Sequence, residues 1–207
     1  MQLIGMLDSP YVRRTAISLE LLGIPFEHKA VSVFSTFEQF QAINPVVKAP
    51  SFVCEDGEVL MDSTLIIDYA ESMAGPKKSL LPSNSKERQH ALRLIGLALA
   101  ACEKAVQIVY ERNLRPAEKQ HEPWLTRVRG QLLAAFKLLE GEVARQTPAT
   151  TSQAGVTIAV AWRFAQMMVA ESVVAADYPA LRKFSAVAEK LPAFIAFPPD
   201  GPGVPSD

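Results

Sequence analysis

Residues 51–69 have the sequence SFVCEDGEVLMDSTLIIDY, and this stretch decides the fold. Two short apolar runs flank Glu55-Asp56-Gly57, a turn sequence that predicts a β-hairpin. The strands of this hairpin are Ser51–Cys54 and Glu58–Met61. Ser63 then predicts the N-cap of a helix that runs from Thr64 to about Met73. The stretch therefore predicts an antiparallel strand pair followed directly by a helix.

The chain before the hairpin alternates strand and helix patterns. Met1–Leu7 predicts a short buried strand, and Ser9-Pro10 predicts a helix start that continues to a stop at Gly23. A second strand over Phe26–Val33 and a short helix over Thr36–Ile43 follow. The crossover between the first two strands implies that they are parallel. The sequence thus predicts an α/β domain with a mixed four-stranded sheet and helices on its faces.

The rest of the chain has only helical patterns. Residues 76–85 are rich in Pro and Ser and predict a linker between a first domain, 1–75, and an all-α domain, 86–207. The predicted helices of the second domain are Lys86–Asn113, Glu122–Arg145, Gln153–Ser172 and Pro179–Leu191. The tail 197–207 is rich in Pro and Gly and predicts irregular structure.

Composition excludes several classes of function. The formal net charge of the 207 residues is -1, so nothing favours a nucleic-acid partner. Cys54 and Cys102 lie far apart, with no CxxC pair and no Cys/His cluster, which argues against a disulfide framework and a metal site. This cysteine usage fits a reducing cytoplasm. The apolar runs are too short to span a bilayer, and the first residues lack a basic signal-peptide region.

Four motifs in order resemble the cytosolic, bacterial-type glutathione S-transferase family. They are Ser9-Pro10-Tyr11-Val12-Arg13-Arg14 after the first strand, the NPxxKxP stretch Asn44–Pro50, the strand-acid-Ser-helix stretch Glu58–Tyr69, and Ser152-Gln153-Ala154 before an apolar helix. The resemblance implies a thioredoxin-like domain that binds glutathione, followed by an all-α domain. It also implies a homodimer that conjugates the glutathione thiolate to a small hydrophobic electrophile, without a metal.

Two alternatives to conjugation remain open on the sequence. One is a non-catalytic binding or regulatory protein of the same fold, against which the retained Ser9, Asp62 and Ser63 argue. The other is a glutathione-dependent reductase or peroxidase. Because no cysteine lies near Ser9, the thiol-exchange version of that activity is disfavoured.

Ser9 is the candidate catalytic residue, since a helix N-cap hydroxyl can also donate a hydrogen bond to a thiolate. Lowering a thiol pKa from about 8.5 by about 2 units takes roughly 2.7 kcal/mol. One charge-assisted hydrogen bond supplies about 1.5–3 kcal/mol, and the helix N-terminus adds more. Tyr11 and Asp8 are the rival neighbours, and we expect the Asp8 carboxylate to face away from the thiol.

The resemblance assigns the remaining glutathione contacts. It implies a cis Ala49-Pro50 bond, with the Ala49 backbone pairing with the glutathione cysteine. Lys48 is either a ligand of the glycine carboxylate or a solvated side chain. Ser63 and its helix N-terminus suit the γ-glutamyl carboxylate, and Asp62 suits the γ-glutamyl ammonium.

Other residues receive weaker assignments. Tyr11 and Tyr110 are candidates for the electrophile pocket by family analogy alone. Of Arg13 and Arg14, at least one is expected on a solvated helix face, and the resemblance implies that one serves in internal structure or near the site. Cys54 and Cys102 are expected to be buried and structural.

Two positions depart from the family pattern. Val47 stands where the family commonly has Gly, and Gly155 stands where it usually has Asp. If Ser152 is the N-cap, a carboxylate at position 155 would complete a capping box. The sequence therefore predicts that Gly155→Asp stabilises the protein.

Overall fold

The computed structural model of the chain describes residues 1–204, which divide into two units. The first unit contains Met1–Leu80 together with Leu191–Pro202, and the second contains Leu81–Lys190. Residues 205–207, which the sequence assigns to the second domain, lie outside the described residues. Within the described part of the chain, no helix is long and apolar enough to cross a membrane.

The first unit is built on a four-stranded sheet. Its strands are β1 (Gln2–Ile4), β2 (Glu27–Lys29), β3 (Ser51–Val53) and β4 (Val59–Met61). Their order is β2-β1-β3-β4, with β1 and β2 parallel and the other two pairs antiparallel. The mixed sheet and the hairpin are therefore confirmed. Each strand has three residues, fewer than predicted.

Three helices pack on this sheet, and successive residues of β1 face opposite sides. The helices are α1 (Pro10–Leu22), α2 (Phe37–Ile43) and α3 (Ser63–Ala74). Leu3 belongs to the core cluster that includes residues of α1 and α3, whereas Ile4 packs with Phe40 of α2 on the other face. Helices α1 and α3 therefore pack on one face of the sheet, and α2 packs on the other.

Local signals explain where α1 begins and ends. Ser9 is the N-cap and its side chain accepts from the Val12 N–H, while Pro10 occupies the first helical position. Gly23 ends the helix with φ 71°, a left-handed conformation that glycine adopts at little cost. Both ends match the sequence prediction.

The second unit consists of helices. They are α4 (Ser85–Asn113), α5 (Glu122–Arg145), α6 (Gln153–Met168) and α7 (Pro179–Ala188), with short 3-10 turns at Ala117–Lys119 and Ala175–Asp177. Phe136, Trp162 and Tyr178 form an aromatic cluster in its core, with ring centroids 5.7–6.1 Å apart. The ends of α4 and α5 agree with prediction to within a residue, whereas α6 and α7 stop earlier than predicted.

The C-terminal segment differs from the predicted domain division. The sequence assigns it to the helical domain, yet Leu191–Pro202 groups with the first unit and contains the short helix α8 (Pro192–Ala196). The Phe197 ring stacks on Phe26 at 5.5 Å, and the Asp8 N–H donates to the Asp200 carbonyl at 3.1 Å. These partners lie far away in sequence, so no local pattern indicates the contact.

The start of α6 corrects the prediction for Gly155. Ser152 is the N-cap and accepts from the Gly155 N–H at 3.1 Å, as the sequence indicates. However, a Cβ at Gly155 would overlap the Ala149 carbonyl oxygen and lie 3.0 Å from the Thr150 Cα. The chain before the helix therefore folds against a position that has no side chain. The predicted stabilisation by Gly155→Asp is wrong, because the close backbone approach outweighs any gain from a capping box.

We predict instead that Gly155→Ala destabilises the protein. Because the clash is with backbone atoms, the turn must shift, at a cost of about 1–3 kcal/mol. That corresponds to a melting temperature lower by about 2–12 °C for a chain of this size. Thermal unfolding followed by circular dichroism measures the change.

Gly141→Ala is the matched control for this measurement. Gly141 lies within α5, and a Cβ there meets nothing within 4 Å. This control is expected to raise stability by about 0.5–1 kcal/mol, the ordinary advantage of Ala over Gly in a helix. A similar rise for Gly155→Ala would contradict the packing argument.

Candidate functional site

Ser9 accepts one hydrogen bond from the protein through its hydroxyl oxygen and can still donate the hydroxyl hydrogen. Its Oγ accepts from the Val12 N–H at 3.4 Å, and its own N–H donates to the Met6 carbonyl at 3.2 Å. The hydroxyl is partly buried at the N-terminus of α1. Because a hydroxyl has one hydrogen and two lone pairs, capping leaves its hydrogen for another acceptor. The arrangement suits a hydrogen bond to an anion at this helix end.

Asp8 is held by the C-terminal segment. A Cβ added to Gly201 would lie only 2.8 Å from the Asp8 Cβ and would overlap the Asp8 carboxylate. The carboxylate is therefore packed against the backbone at Gly201. Tyr11, the other neighbour of Ser9 considered on the sequence, lies in the first turn of α1 and is half-buried.

The two consecutive arginines of α1 are both buried, so the predicted solvated face is wrong. Arg13 is 2% exposed and Arg14 is 1% exposed. The Arg13 Nε donates to the Phe197 carbonyl at 2.8 Å, and its guanidinium lies over the Phe194 ring at 5.6 Å. A long side chain that bonds main-chain carbonyls of a distant segment has no signature in the sequence of its own helix.

Arg14 points to the start of α3 instead. Its Nη1 donates to the Ser63 Oγ at 2.9 Å and to the Thr64 Oγ1 at 3.2 Å. Since Ser9 is the N-cap of α1 and Arg14 is the fifth residue of this helix, the start of α1 and the Arg14 side chain connect the two candidate serines.

The N-cap of α3 is Asp62, which corrects the assignment of that role to Ser63. The Asp62 Oδ1 accepts from the Thr64 N–H at 2.9 Å, and Ser63 is the first residue of the helix. Asp62 has φ 73°, a conformation that Asp adopts more readily than most residues. Both residue types suit an N-cap, so the sequence alone does not separate them.

A network of side-chain hydrogen bonds holds the loop before β3. The buried Asn44 donates through Nδ2 to the Ser51 Oγ at 2.8 Å, and Ser51 donates to the Lys48 carbonyl at 2.9 Å. Val47 has φ 53°, so it keeps the left-handed conformation that a glycine would favour, at a cost of about 1–2 kcal/mol. The Val47 departure therefore does not change the type of loop.

The same loop carries three predicted ligand residues. The Ala49-Pro50 peptide bond is cis, and Ala49 is half-buried. Lys48 has an exposed side chain. Among the described residues, none makes a backbone hydrogen bond to Ala49. Its N–H and carbonyl are thus available to an extended ligand.

The other residues considered on the sequence do not lie at the starts of α1 and α3. Tyr110 lies on α4 in the second unit and is 41% exposed. Burial, with Asp56 nearby, raises the pKa of the Cys54 thiol, so this cysteine stays neutral at pH 7 and is a poor nucleophile. Within residues 1–204, no group of His, Cys, Asp and Glu has the arrangement of a metal site.

The first unit thus places hydroxyl groups at the N-termini of two neighbouring helices, α1 and α3. Backbone N–H groups and the helix dipole make such positions favourable for anions. A ligand with a thiolate and a carboxylate matches this pair of positions in charge.

Comparison with known proteins agrees with this geometry. The family model for the glutathione S-transferase N-terminal domain matches residues 3–78. The uncharacterised GST-like protein YibF of Escherichia coli K12 is 32% identical over 78% of this chain and 79% of its own length. The chain belongs to the glutathione S-transferase family.

Two further similar proteins match nearly the whole of this chain. A probable maleylacetoacetate isomerase of Caenorhabditis elegans is 27% identical over 90% of this chain and 87% of its own. The crystal structure of a Pseudomonas fluorescens Pf-5 glutathione transferase family member with bound glutathione has a TM-score of 0.85. It is 26% identical and covers 97% of this chain and 99% of its own. The predicted fold, a thioredoxin-like domain followed by a helical one, is confirmed.

The sequence does not determine which of Arg13 and Arg14 lies near this site, and in the structure it is Arg14. The residues that it contacts lie 49 and 50 positions away, on another helix. Only the packing of α1 beside α3 brings them together. The sequence shows that α1 carries charged side chains among its apolar residues. It does not indicate which residues these side chains contact.

We predict that two substitutions at Asp62 have different effects on stability. Asp62→Ala removes the cap acceptor and places Ala at a positive φ, so the free energy of unfolding should fall by about 1–2 kcal/mol. Asp62→Asn keeps an oxygen acceptor and tolerates this backbone, so the change should stay within about 0.5 kcal/mol. Urea unfolding measures both; equal losses would mean that the charge, not the cap, stabilises this helix start.

Proposed function

We propose that this protein binds glutathione through its first unit and transfers the glutathione thiolate to a small hydrophobic electrophile. The observation that carries the proposal is the pair of serine hydroxyls at the N-termini of α1 and α3, joined through Arg14. Glutathione, when bound, supplies the thiol that becomes the nucleophile. The task of the protein is to favour its anionic form and to hold it in place.

Ser9 is the residue that we assign to the thiolate. Its Oγ accepts from the Val12 N–H, which leaves the hydroxyl hydrogen available to donate to the thiolate. A donated hydrogen bond at the start of α1 stabilises the anion more than the neutral thiol, which lowers the thiol pKa. The packing of the Asp8 carboxylate against Gly201 supports this role, because a carboxylate facing the thiol would oppose its ionisation.

The other contacts follow from the chemistry of the tripeptide. The Ala49 backbone, beside Pro50, pairs with the cysteine residue of glutathione as an added strand would. Ser63 and the α3 N-terminus hold the γ-glutamyl carboxylate. Asp62, with one carboxylate oxygen engaged by Thr64, directs its charge to the γ-glutamyl ammonium. Lys48 is exposed and suits the glycine carboxylate.

A second candidate function comes from the relatives. Proteins named as maleylacetoacetate isomerases match 90% and 93% of this chain, at 27% and 28% identity. Reversible addition of the same thiolate to a conjugated double bond would isomerise a substrate rather than conjugate it. Both activities need Ser9 and the glutathione site, and they differ only in the second substrate. Tyr11 and Tyr110 remain our candidates for contact with that substrate.

We predict that Ser9→Ala lowers kcat/KM for glutathione conjugation by about 10- to 100-fold. The loss of one charge-assisted hydrogen bond, about 1.5–3 kcal/mol, should raise the kinetic pKa of bound glutathione by about 1–2 units. The pH dependence of kcat/KM with a panel of electrophiles and cis double-bond substrates measures both quantities.

Tyr11→Phe is the control, because it removes the neighbouring hydroxyl and keeps the ring. If Tyr11→Phe shifts the pKa and Ser9→Ala does not, the thiolate contact belongs to Tyr11. Retention of the wild-type protein on immobilised glutathione with no turnover would favour the non-catalytic alternative. Failure to bind glutathione at all would overturn the proposal.

We also propose that the protein is a homodimer that associates through α3. Leu65, Tyr69 and Met73 recur every four residues along this helix and are all exposed. An exposed apolar stripe on the face of α3 that points away from the core favours contact with a second copy of the chain.

Leu65→Glu is predicted to convert the dimer into a monomer, because it puts a charge in the centre of a buried apolar contact. Light scattering coupled to size-exclusion chromatography measures the mass. Ile195→Glu is the matched control, since Ile195 and Leu65 are each 64% exposed and Ile195 lies on α8. A monomeric wild-type protein, or equal loss of the dimer in both variants, would contradict the assignment of α3.

A further inference from the structure

The C-terminal segment of the first unit, Leu191–Pro202, is fastened to α1 through Arg13. The Arg13 Nε donates to the Phe197 carbonyl at 2.8 Å, its Nη2 donates to the Phe194 carbonyl at 3.5 Å, and its guanidinium lies over the Phe194 ring. Arg13 is buried, so the loss of these partners would leave a cation out of water without compensation. The Phe197 ring also stacks on Phe26. The segment is therefore fixed to the first unit at this point.

Beyond this anchor, the same segment holds both the backbone and the side chain of Asp8. The Asp8 N–H donates to the Asp200 carbonyl at 3.1 Å. The space that a Cβ at Gly201 would need is filled by the Asp8 carboxylate, and the Asp8 Cβ lies 2.8 Å from that position. Gly201 consequently provides room for the carboxylate that a side chain at this position would remove.

Asp8 directly precedes Ser9, so the position of its carboxylate affects the charge at the start of α1. The Arg13 N–H donates to the Ser9 carbonyl at 3.0 Å, so the anchor lies one helical turn after the candidate thiolate contact. A second negative charge within about 4–6 Å of a thiolate opposes its formation and raises the thiol pKa. Consecutive Cα atoms are only about 3.8 Å apart, so an Asp8 carboxylate released from Gly201 would come within this range.

The elements around this helix start carry other charged and titratable groups. They are Tyr11 and Arg14 on α1, His28 on β2, Lys48 on the loop before β3, Asp62 at the start of α3 and Asp200 on the C-terminal segment. A comparison of variants that keep all of these groups isolates the effect of the Asp8 carboxylate.

We propose that the C-terminal segment controls the acidity of the glutathione thiol, with Arg13 as the positioning residue. Arg13 anchors the segment, the segment holds the Asp8 carboxylate at Gly201, and the thiol of bound glutathione keeps a low pKa as a result. This inference rests on the proposed function, because it concerns the ionisation of the same thiol. It adds that this ionisation depends on residues that lie far from Ser9 in the sequence.

The test is a double-mutant cycle between Gly201→Ala and Asp8→Asn, in which the ultraviolet absorbance of the thiolate is titrated at saturating glutathione. Gly201→Ala displaces the Asp8 carboxylate, so it is expected to raise the pKa of the bound thiol by about 1 unit. Asp8→Asn removes the charge and keeps the shape of the side chain, so Gly201→Ala should not change the pKa in that background. An unchanged pKa in Gly201→Ala, or an equal rise in the Asp8→Asn background, would overturn the proposal.

The same shift predicts a loss of activity in Gly201→Ala that depends on pH. Below the wild-type thiol pKa, the thiolate fraction and kcat/KM for the electrophile should fall by about tenfold. Above the raised pKa, both proteins hold the thiolate and their rates should converge. A loss of equal size at every pH would indicate a general displacement of α1 and would overturn the role of the carboxylate.

Arg13→Met tests the anchor by removing the hydrogen bonds to the segment. It is expected to raise the thiol pKa by about 1 unit, and this rise should disappear when Asp8→Asn is added. Arg13→Lys covers the case in which Arg13→Met does not fold, because lysine keeps the charge but lacks the guanidinium fork, and a smaller rise is expected. A wild-type pKa in both folded variants would overturn the role of Arg13.

Ile195→Ala is the matched control on the same segment. Ile195 is 64% exposed on α8, so this variant should keep the wild-type thiol pKa. A rise equal to that of Gly201→Ala would overturn the proposal, because the shift would then not depend on the contact with Asp8. A wild-type protein that does not bind glutathione would instead overturn the proposed function, and this inference with it.

Discussion

Two buried guanidinium groups on one helix govern the arrangement of the first unit. Arg13 and Arg14 are consecutive, so their side chains leave α1 about 100° apart and reach different elements. Arg13 bonds carbonyls of the C-terminal segment, and Arg14 bonds the hydroxyls that open α3. A buried cation without such partners costs several kcal/mol, so α1 can pack on the sheet only when both segments are in place. The two ends of the chain and the start of α3 are thereby coupled to one helix.

This coupling explains how a small sheet with three-residue strands presents a site of defined geometry. Ser9 and Ser63 each accept one hydrogen bond from the protein, Ser9 from the Val12 N–H and Ser63 from Arg14. A hydroxyl with an engaged acceptor donates in a preferred direction, and both serines lie at helix N-termini. Both helix starts consequently favour negative charge before any ligand binds, which is the condition that electrostatic catalysis would require under the proposed function. The C-terminal segment contributes by keeping the Asp8 carboxylate against Gly201.

The parts of the fold that the sequence predicts are those that depend on local or periodic signals. The hairpin turn, the caps at Ser9, Gly23 and Ser152, and the apolar periodicity of α4 and α5 are all of this kind. The missed features depend on contacts between distant segments. Arg13 and Phe197 are 184 positions apart, and Arg14 and Ser63 are 49 apart. A pair of arginines on a helix has the same local pattern whether it is solvated or buried, so only the tertiary packing separates these cases.

The two departures from the family pattern, Val47 and Gly155, have effects on the backbone that the local sequence does not predict. At Val47 the backbone keeps the left-handed conformation, because Asn44 and Ser51 hold the loop through side-chain hydrogen bonds that a change at position 47 does not remove. At Gly155 the Ala149 carbonyl lies in the space that a Cβ would occupy, so the Asp that is usual in the family does not fit there. Where other residues also hold the backbone, a substitution leaves its conformation unchanged. Where they do not, the backbone takes a different path. A carboxylate at position 155 therefore cannot complete a capping box without moving the turn before α6, whose backbone lies against Gly155.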